Sequence, residues 1–429
     1  MLKRSIIFIV LGIMMLFSIY TIAFSGQEKD KKDDLYRQVE LFSDTLAILK
    51  TDYVDEVVPR DLIYGALKGM LSSLDPHSQF MDPDTYNELK IDTEGKFGGL
   101  GIEITIKDGL LTVVTPIEDT PAWKAGVKSN DRIIKIDDEI TRDMTLTDAV
   151  KKLRGRPGDA VNITVLRESE KSILEFEIFR DIIKIKDIKE AKILENGIAY
   201  IRLVEFRENT SRDLKGVLEN LYKDGMTSLI LDLRNNPGGL LDEAVKVTGK
   251  FIKKGELIVY TKGRIPSQDL KFVSESNRPI LDLPMVVLIN EGSASGSEIV
   301  AACLRDYKRA IILGTKSFGK GSVQTIVPLS DGSALKLTTS KYFTPSGEEI
   351  HGKGVEPDII IQEARIEPQF DKDAEFEQSQ YIFEKFEKNQ PEGKEAISAD
   401  YKNDNQLMRA MDVLKVVMIY KPQTENLGQ

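Results

Sequence analysis

The sequence predicts an α/β multidomain protein: a helical N-terminal segment, a β-rich module, an α/β core and a helical C-terminal segment. Three observations carry this. The 429 residues exceed the roughly 100–200 residues of one domain. Apolar spacing changes along the chain, from recurrence every three or four residues, to short alternation, to buried runs alternating with helical stretches. Apart from its first stretch, the composition, 41% hydrophobic and 30% charged, is that of a globular protein.

Residues 1–26 come first. Lys3 and Arg4 precede an uncharged apolar run from Ser5 to about Phe24, about the twenty residues a helix needs to cross a bilayer. It reads either as an uncleaved anchor or as a secretory signal with Ala23-Phe24-Ser25 as a poor cleavage site. In both readings the basic flank stays cytoplasmic and the remainder is exported. The expected location is the cell envelope: anchored in the inner membrane with the bulk of the chain in the periplasm or extracytoplasmic space, or released there.

Residues 33–92 read as a helical domain, with Leu41, Leu46, Ile48 and Leu49, then Leu62, Ile63, Ala66, Leu67, Met70 and Leu71, at helical spacing. Leu74-Asp75-Pro76 breaks the pattern, and Pro83-Asp84 opens another short helix. Residues 93–181 alternate in short segments such as 101–106 and 110–114, interrupted by one helix on Leu146, Ala149, Val150 and Leu153. Residues 182–364 form the α/β core, in which Leu229–Leu233 and Met285–Ile289 are each followed by a helical stretch. Residues 365–405 read as a charged linker, and 406–429 as a C-terminal helix with its amphipathic part at Leu407–Tyr420.

Composition excludes several classes. Net charge is −10 and pI about 5.1, without the concentrated basic face that nucleic acid requires. Cys303 is the single cysteine; it lies in an apolar helical run and reads as a buried hydrophobe. With two histidines, His77 and His351, no ordinary zinc site can be assembled. Gly314-Thr-Lys-Ser-Phe-Gly319-Lys320 has the spacing of a phosphate-binding loop as far as the lysine, but Gly321 stands where a magnesium-binding hydroxyl is needed. No metal or cofactor is expected.

What remains is Asn290-Glu-Gly-Ser293-Ala-Ser295-Gly-Ser297-Glu298, between a buried strand and a helix. A serine at a helix N-terminus sits beside free N–H groups that can hold an oxyanion. Ser295 and Glu298 could equally form a capping box. A serine nucleophile needs a base, and with histidine scarce the candidate is lysine, provided burial lowers its pKa. Lys320, between glycines and with no acid within four residues, fits that demand, or else is a solvated turn residue.

These residues resemble the signature of the carboxyl-terminal processing peptidases, serine peptidases with a Ser–Lys dyad. Four motifs stand in the family's order: Asp232-Leu-Arg-Asn-Asn-Pro-Gly-Gly239, the serine segment, Phe318-Gly-Lys-Gly-Ser-Val-Gln324, and Lys341-Tyr-Phe-Thr-Pro-Ser-Gly347 leading into His351-Gly-Lys-Gly354. The resemblance implies a crotonase-like α/β protease core, with Ser295 as nucleophile, Lys320 as general base and Gln324 orienting the lysine. It also implies an oxyanion hole from the N–H groups of Gly296 and Gly239. Asp306 matches an acid important in some members; eleven residues after Ser295, it is too far along the helix to reach the hydroxyl and reads as structural.

The β-rich module resembles a PDZ domain through Gly98-Gly-Leu-Gly-Ile102 and Pro121-Ala-Trp-Lys-Ala-Gly126 through Asp131-Arg-Ile-Ile134. Asn130 stands where that family mostly has glycine, and tolerates the same left-handed turn. The resemblance implies that Gly99, Leu100, Gly101 and Ile102 hold a peptide's terminal carboxylate while the tail adds as a strand facing Leu146 and Val150. Arg154 matches a residue thought to couple tail binding to activity in related proteins, or is a cation at a helix C-terminus.

The sequence thus points to a serine endopeptidase acting in protein processing or quality control on substrates with apolar C-terminal tails. Two other classes stay open: a catalytically silent PDZ scaffold, and an acyl transferase or hydrolase acting on CoA substrates. The terminal helices are candidates either for pairing two copies or for packing on the core. An adaptor that delivers substrates is left open.

Overall fold

The computed structural model describes residues 34–168, 170–364 and 403–420. The apolar N-terminal run and nearly all of the 365–405 linker lie outside them. Among the described residues no helix is long and apolar enough to cross a membrane. They fall into two compact units.

In the small unit residues 34–52 are helical (α1) and α2 spans Pro59–Ser72, with proline at its start, where the missing N–H costs nothing. The Tyr64 ring meets Phe80 at 4.7 Å, and its hydroxyl donates to Asp331 at 2.7 Å. Gln79–Met81 (β1) is a strand inside the stretch expected to be helical. It pairs antiparallel with residues 334–336, a partner too distant in sequence for a local pattern to reveal.

The large unit opens with α3 (Pro83–Glu94) and the β-rich module. Its elements are β2 (Lys96–Gly99), β3 (Ile102–Lys107), β4 (Leu110–Pro116), α4 (Pro121–Ala125), β5 (Arg132–Ile136), β6 (Glu139–Ile140), α5 (Leu146–Leu153), β7 (Ala160–Arg167), β8 (Ser172–Phe179) and β9 (Asp181–Lys184). The sheet order is β3-β4-β5-β7-β8, so β3 is an edge strand. Val113, Ile133, Val161, Ile163 and Val165 are fully buried beneath α5 residues Ala149 and Leu153. Antiparallel pairing of β2 with β9 joins the module's two ends.

The core sheet runs β10 (Ile188–Ile193), β11 (Ile198–Leu203), β12 (Ser228–Asp232), β15 (Met285–Ile289), β16 (Ile311–Gly314) and β19 (Ile359–Ile360), parallel except for β10. Successive side chains point to opposite faces. Leu229, Leu231, Val287 and Ile289 pack with helices α6 (Thr210–Lys223), α7 (Leu241–Gly249) and α8 (Gly296–Asp306). Ile230, Val286 and Leu288 pack on the other face against Leu407, Ala410, Met411 and Leu414 of α9 (Asn405–Tyr420). Burial on both faces explains why these strands read as continuous apolar runs. The remaining strands among the described residues are β13 (Leu257–Gly263), β14 (Lys271–Val273), β17 (Ser322–Pro328) and β18 (Ala334–Phe343). Cys303 is fully buried in α8, and burial pushes its thiol far up, consistent with a core hydrophobe.

Candidate active site

The C-terminal ends of adjacent parallel strands form the crevice in which α/β sheets bind ligands. Here β12, β15 and β16 are consecutive neighbours, and the loops leaving them carry the motifs 232–239 and 290–298 and the start of 318–324, with Lys320. Adjacency in the sheet brings together residues that lie far apart in the chain.

Ser295 immediately precedes α8, is 7% exposed, and has φ 52° and ψ −112°. This is sparsely populated backbone for a serine, costing about 1–3 kcal/mol, and persists only where the surroundings enforce it. Glu298, wholly buried, supplies the enforcement: its Oε2 accepts the Ser295 N–H at 2.8 Å. The same oxygen accepts the Lys320 N–H at 2.9 Å, and Oε1 accepts the Gly319 N–H at 2.7 Å and the Ser317 hydroxyl. Burial raises the Glu298 carboxyl above its usual range against the pull of these bonds. Glu298 therefore makes its half of a capping box and also ties the serine junction to the lysine loop. Lys320 has no acid near it in sequence; the fold brings one to its backbone.

Ser293 donates to the Leu233 carbonyl at 2.8 Å and Ser297 to the Asn236 carbonyl at 2.9 Å, so both hydroxyls tie loops together. Tyr342 is buried beside Ser295, and burial raises its phenol above the usual range. Tyr342 donates its own N–H to the Gly321 carbonyl at 2.8 Å. It lies within a motif noted above, but nothing in its spacing points to contact with the serine.

Gly238 has φ 102°, and a Cβ there would stand 2.7 Å from Ser295 Cβ. Its N–H is already donated to Asn236 Oδ1 at 2.9 Å. Among the described residues the N–H groups of Gly239 and Gly296 donate to no acceptor, which leaves them available to an oxyanion. Lys320 is half-buried. The Gln324 amide donates to Ser322 Oγ at 2.9 Å on its own strand, β17, and to Thr338 Oγ1 at 3.5 Å on β18. Asp306, at the far end of α8, accepts the Ser346 N–H at 2.9 Å and so anchors the 344–347 turn.

In the β-rich module Gly101 has φ 77°, and a Cβ there would come within 2.5 Å of the Thr120 side chain. Leu100 is buried, and the carbonyls of Leu100 and Gly101 accept from Ala122 at 2.9 Å and Ile117 at 2.8 Å. Among the described residues the N–H groups of Leu100 and Gly101 find no acceptor. Gly99 is paired with Asp181, while Ile102 begins the edge strand β3. On α5, Leu146 and Val150 are partly exposed. The Arg154 guanidinium lies 4.6 Å over the Phe97 ring in β2, a cation–π contact. Gly155 N–H donates to the Gly98 carbonyl at 3.1 Å, so the end of α5 is fastened to the strand leading into the glycine loop.

Residues 197–361 match the model of peptidase family S41, residues 98–178 that of a PDZ domain, and residues 17–85 the N-terminal domain of the activating protease CtpB. A carboxy-terminal-processing protease of Bartonella bacilliformis is 41% identical over 420 residues, 96% of each chain. A probable CtpA-like serine protease of Staphylococcus haemolyticus is 36% identical over 83% of this chain and 72% of its own. Among solved structures, the photosystem II D1 C-terminal processing protease is 30% identical over 75% of this chain and 86% of its own, with a TM-score of 0.44. The chain belongs to peptidase family S41 and is a serine peptidase of the carboxy-terminal-processing type, carrying a PDZ domain.

Proposed function

We propose that this peptidase cleaves peptide bonds with a Ser295–Lys320 dyad and selects substrates by an apolar C-terminal tail seated in its PDZ domain. Lys320 takes the proton from Ser295 Oγ, which bonds to the substrate carbonyl carbon. The N–H groups of Gly239 and Gly296 hold the oxyanion. The C–N bond then breaks, the departing amine takes the proton, and water hydrolyses the resulting ester. Gln324 orients the lysine. The observation that carries this reading is that one buried carboxylate, Glu298, accepts the backbone N–H of both Ser295 and Lys320.

Tail selection rests on the open edge of β3, the unpaired N–H groups of Leu100 and Gly101, and the partly exposed Leu146 and Val150. Arg154, held over Phe97, links that groove to the strand entering the glycine loop. The core is read as crotonase-like. The apolar run at 5–24 behind Lys3 and Arg4 supports action in the cell envelope.

The test is cleavage of an unfolded reporter bearing an apolar C-terminal tail, by wild type, Ser295→Ala and Lys320→Ala. Cleavage by wild type and none by the two folded variants is the expected result. A wild type that binds the tail without cutting would favour a silent scaffold, and turnover of a CoA thioester in place of the peptide would favour acyl transfer.

A further inference from the structure

Arg234 opens the loop that carries Gly238 and Gly239, and all five of its guanidinium N–H groups are engaged. Nε donates to Asp232 at 3.0 Å; Nη2 donates to Asp232 at 2.6 Å and to Asp404 at 2.7 Å. Nη1 donates to Asp404 Oδ1 and Gln406 Oε1, both at 3.0 Å. Asp232 also accepts from the Tyr200 hydroxyl at 2.8 Å. Gln406 lies in the first turn of α9, and Asp404, at the end of the stretch expected to be a linker, immediately precedes it. Gln406 is wholly buried, and its amide donates to the Ile361 carbonyl at 2.7 Å.

Attachment of α9 does not require this network, because Leu407, Ala410, Met411 and Leu414 already bury it against the sheet. Burying an arginine with two carboxylates carries a desolvation cost that can cancel its attraction, so such a group adds little net stability. It does define position. Two residues beyond Arg234, the buried Asn236 accepts the Gly238 N–H on Oδ1 at 2.9 Å. Its carbonyl accepts the Ala294 N–H at 3.0 Å and the Ser297 hydroxyl at 2.9 Å. A displacement of Arg234 is therefore passed to the glycine pair and to the residues on either side of Ser295.

We propose that Asp404 and Gln406 are positioning residues for catalysis: α9 acts as a latch that fixes Arg234 and, through it, the oxyanion loop. The peptidase is competent only with α9 seated. The latch rests on the reading of Ser295 as nucleophile and of Gly239 as an oxyanion donor.

The test uses the full chain with Asp404→Asn, Asp404→Glu and Gln406→Leu, measuring kcat and KM on the tailed reporter. Alongside are measured the labelling rate by a serine-directed fluorophosphonate, the affinity for a peptide aldehyde whose oxyanion mimics the transition state, and the unfolding midpoint. The expected result is that kcat, labelling rate and aldehyde affinity fall together by about 10–100-fold, the scale of an ångström-sized misplacement. KM stays within twofold, and Asp404→Glu recovers part of the loss. If Asp404→Asn does not fold, Gln406→Leu carries the test, since it removes one acceptor of Arg234 and one donor to the Ile361 carbonyl while leaving both carboxylates in place. Variants that melt earlier yet turn over, label and bind the aldehyde as wild type does would overturn the latch, with a dead Ser295→Ala control leaving the nucleophile reading standing. A Ser295→Ala enzyme that still cleaves would overturn both.

Discussion

Ser295 and Lys320, 25 positions apart in sequence, donate their backbone N–H groups to one oxygen, Oε2 of Glu298, at 2.8 and 2.9 Å. The strained serine and the lysine loop are thereby referred to a common point inside the core.

Glu298→Gln keeps one acceptor oxygen and turns an amide NH2 toward groups that are themselves donors. Activity on the tailed reporter is expected to fall by about 10–100-fold, with tail affinity unchanged. Glu298→Ala leaves buried N–H groups unsatisfied, at about 1–3 kcal/mol each, and lowers the urea midpoint further. Wild-type activity in Glu298→Gln would show that the shared carboxylate does not set the site.

The Glu298 carboxyl is raised by burial, so the folded state binds its proton more tightly than the unfolded state. Its contribution to stability is complete below the ordinary glutamate pKa and is lost as pH rises through the raised value. Asp404 has the opposite sign: burial pushes it up, but its bonds with Arg234 outweigh that and leave it lowered. Its contribution is present above the ordinary aspartate pKa and is lost as pH falls through the lowered one. Unfolding free energies of wild type, Glu298→Gln and Asp404→Asn across pH 3–8 should show each variant flattening its own limb.

Gly238→Ala places a methyl against Ser295 Cβ, and Gly101→Ala places one against Thr120, both on backbone of positive φ. The first variant should lose cleavage and fluorophosphonate labelling while binding tail peptide normally. The second should lose tail binding by tenfold or more while its Ser295 still labels. Loss of both activities in either variant would mean that the two sites are not separable in this way.

Leu231→Ala in the central strand β12, a fully buried side chain, should lower stability by about 2–5 kcal/mol. Met411→Ala on the opposite face, equally buried, should cost a similar amount and loosen α9. Limited proteolysis of the second variant should release a C-terminal fragment before the core is cut.

Much of the architecture was legible in the sequence because it depends on local periodicity. Leu229–Leu233 and Met285–Ile289 read as buried strands because each carries apolar residues for both faces of one sheet. The helix of Leu146, Ala149, Val150 and Leu153 was visible in its spacing. Gln79–Met81 was not, since three residues have no period of their own and their partner is the distant 334–336 segment.

The candidate site divides along the same line. The resemblance of the motifs to a known family singled out Ser295, Lys320 and the glycine pair, where residue type and spacing alone left a capping box and a solvated turn lysine open. Glu298 as the meeting point of two loops, and Asp404 and Gln406 on Arg234, were decided by tertiary structure alone. Each depends on a hydrogen bond between segments that no local spacing relates, and the adjacency of β12, β15 and β16 is what brings the loops of Arg234, Ser295 and Lys320 within reach of one another.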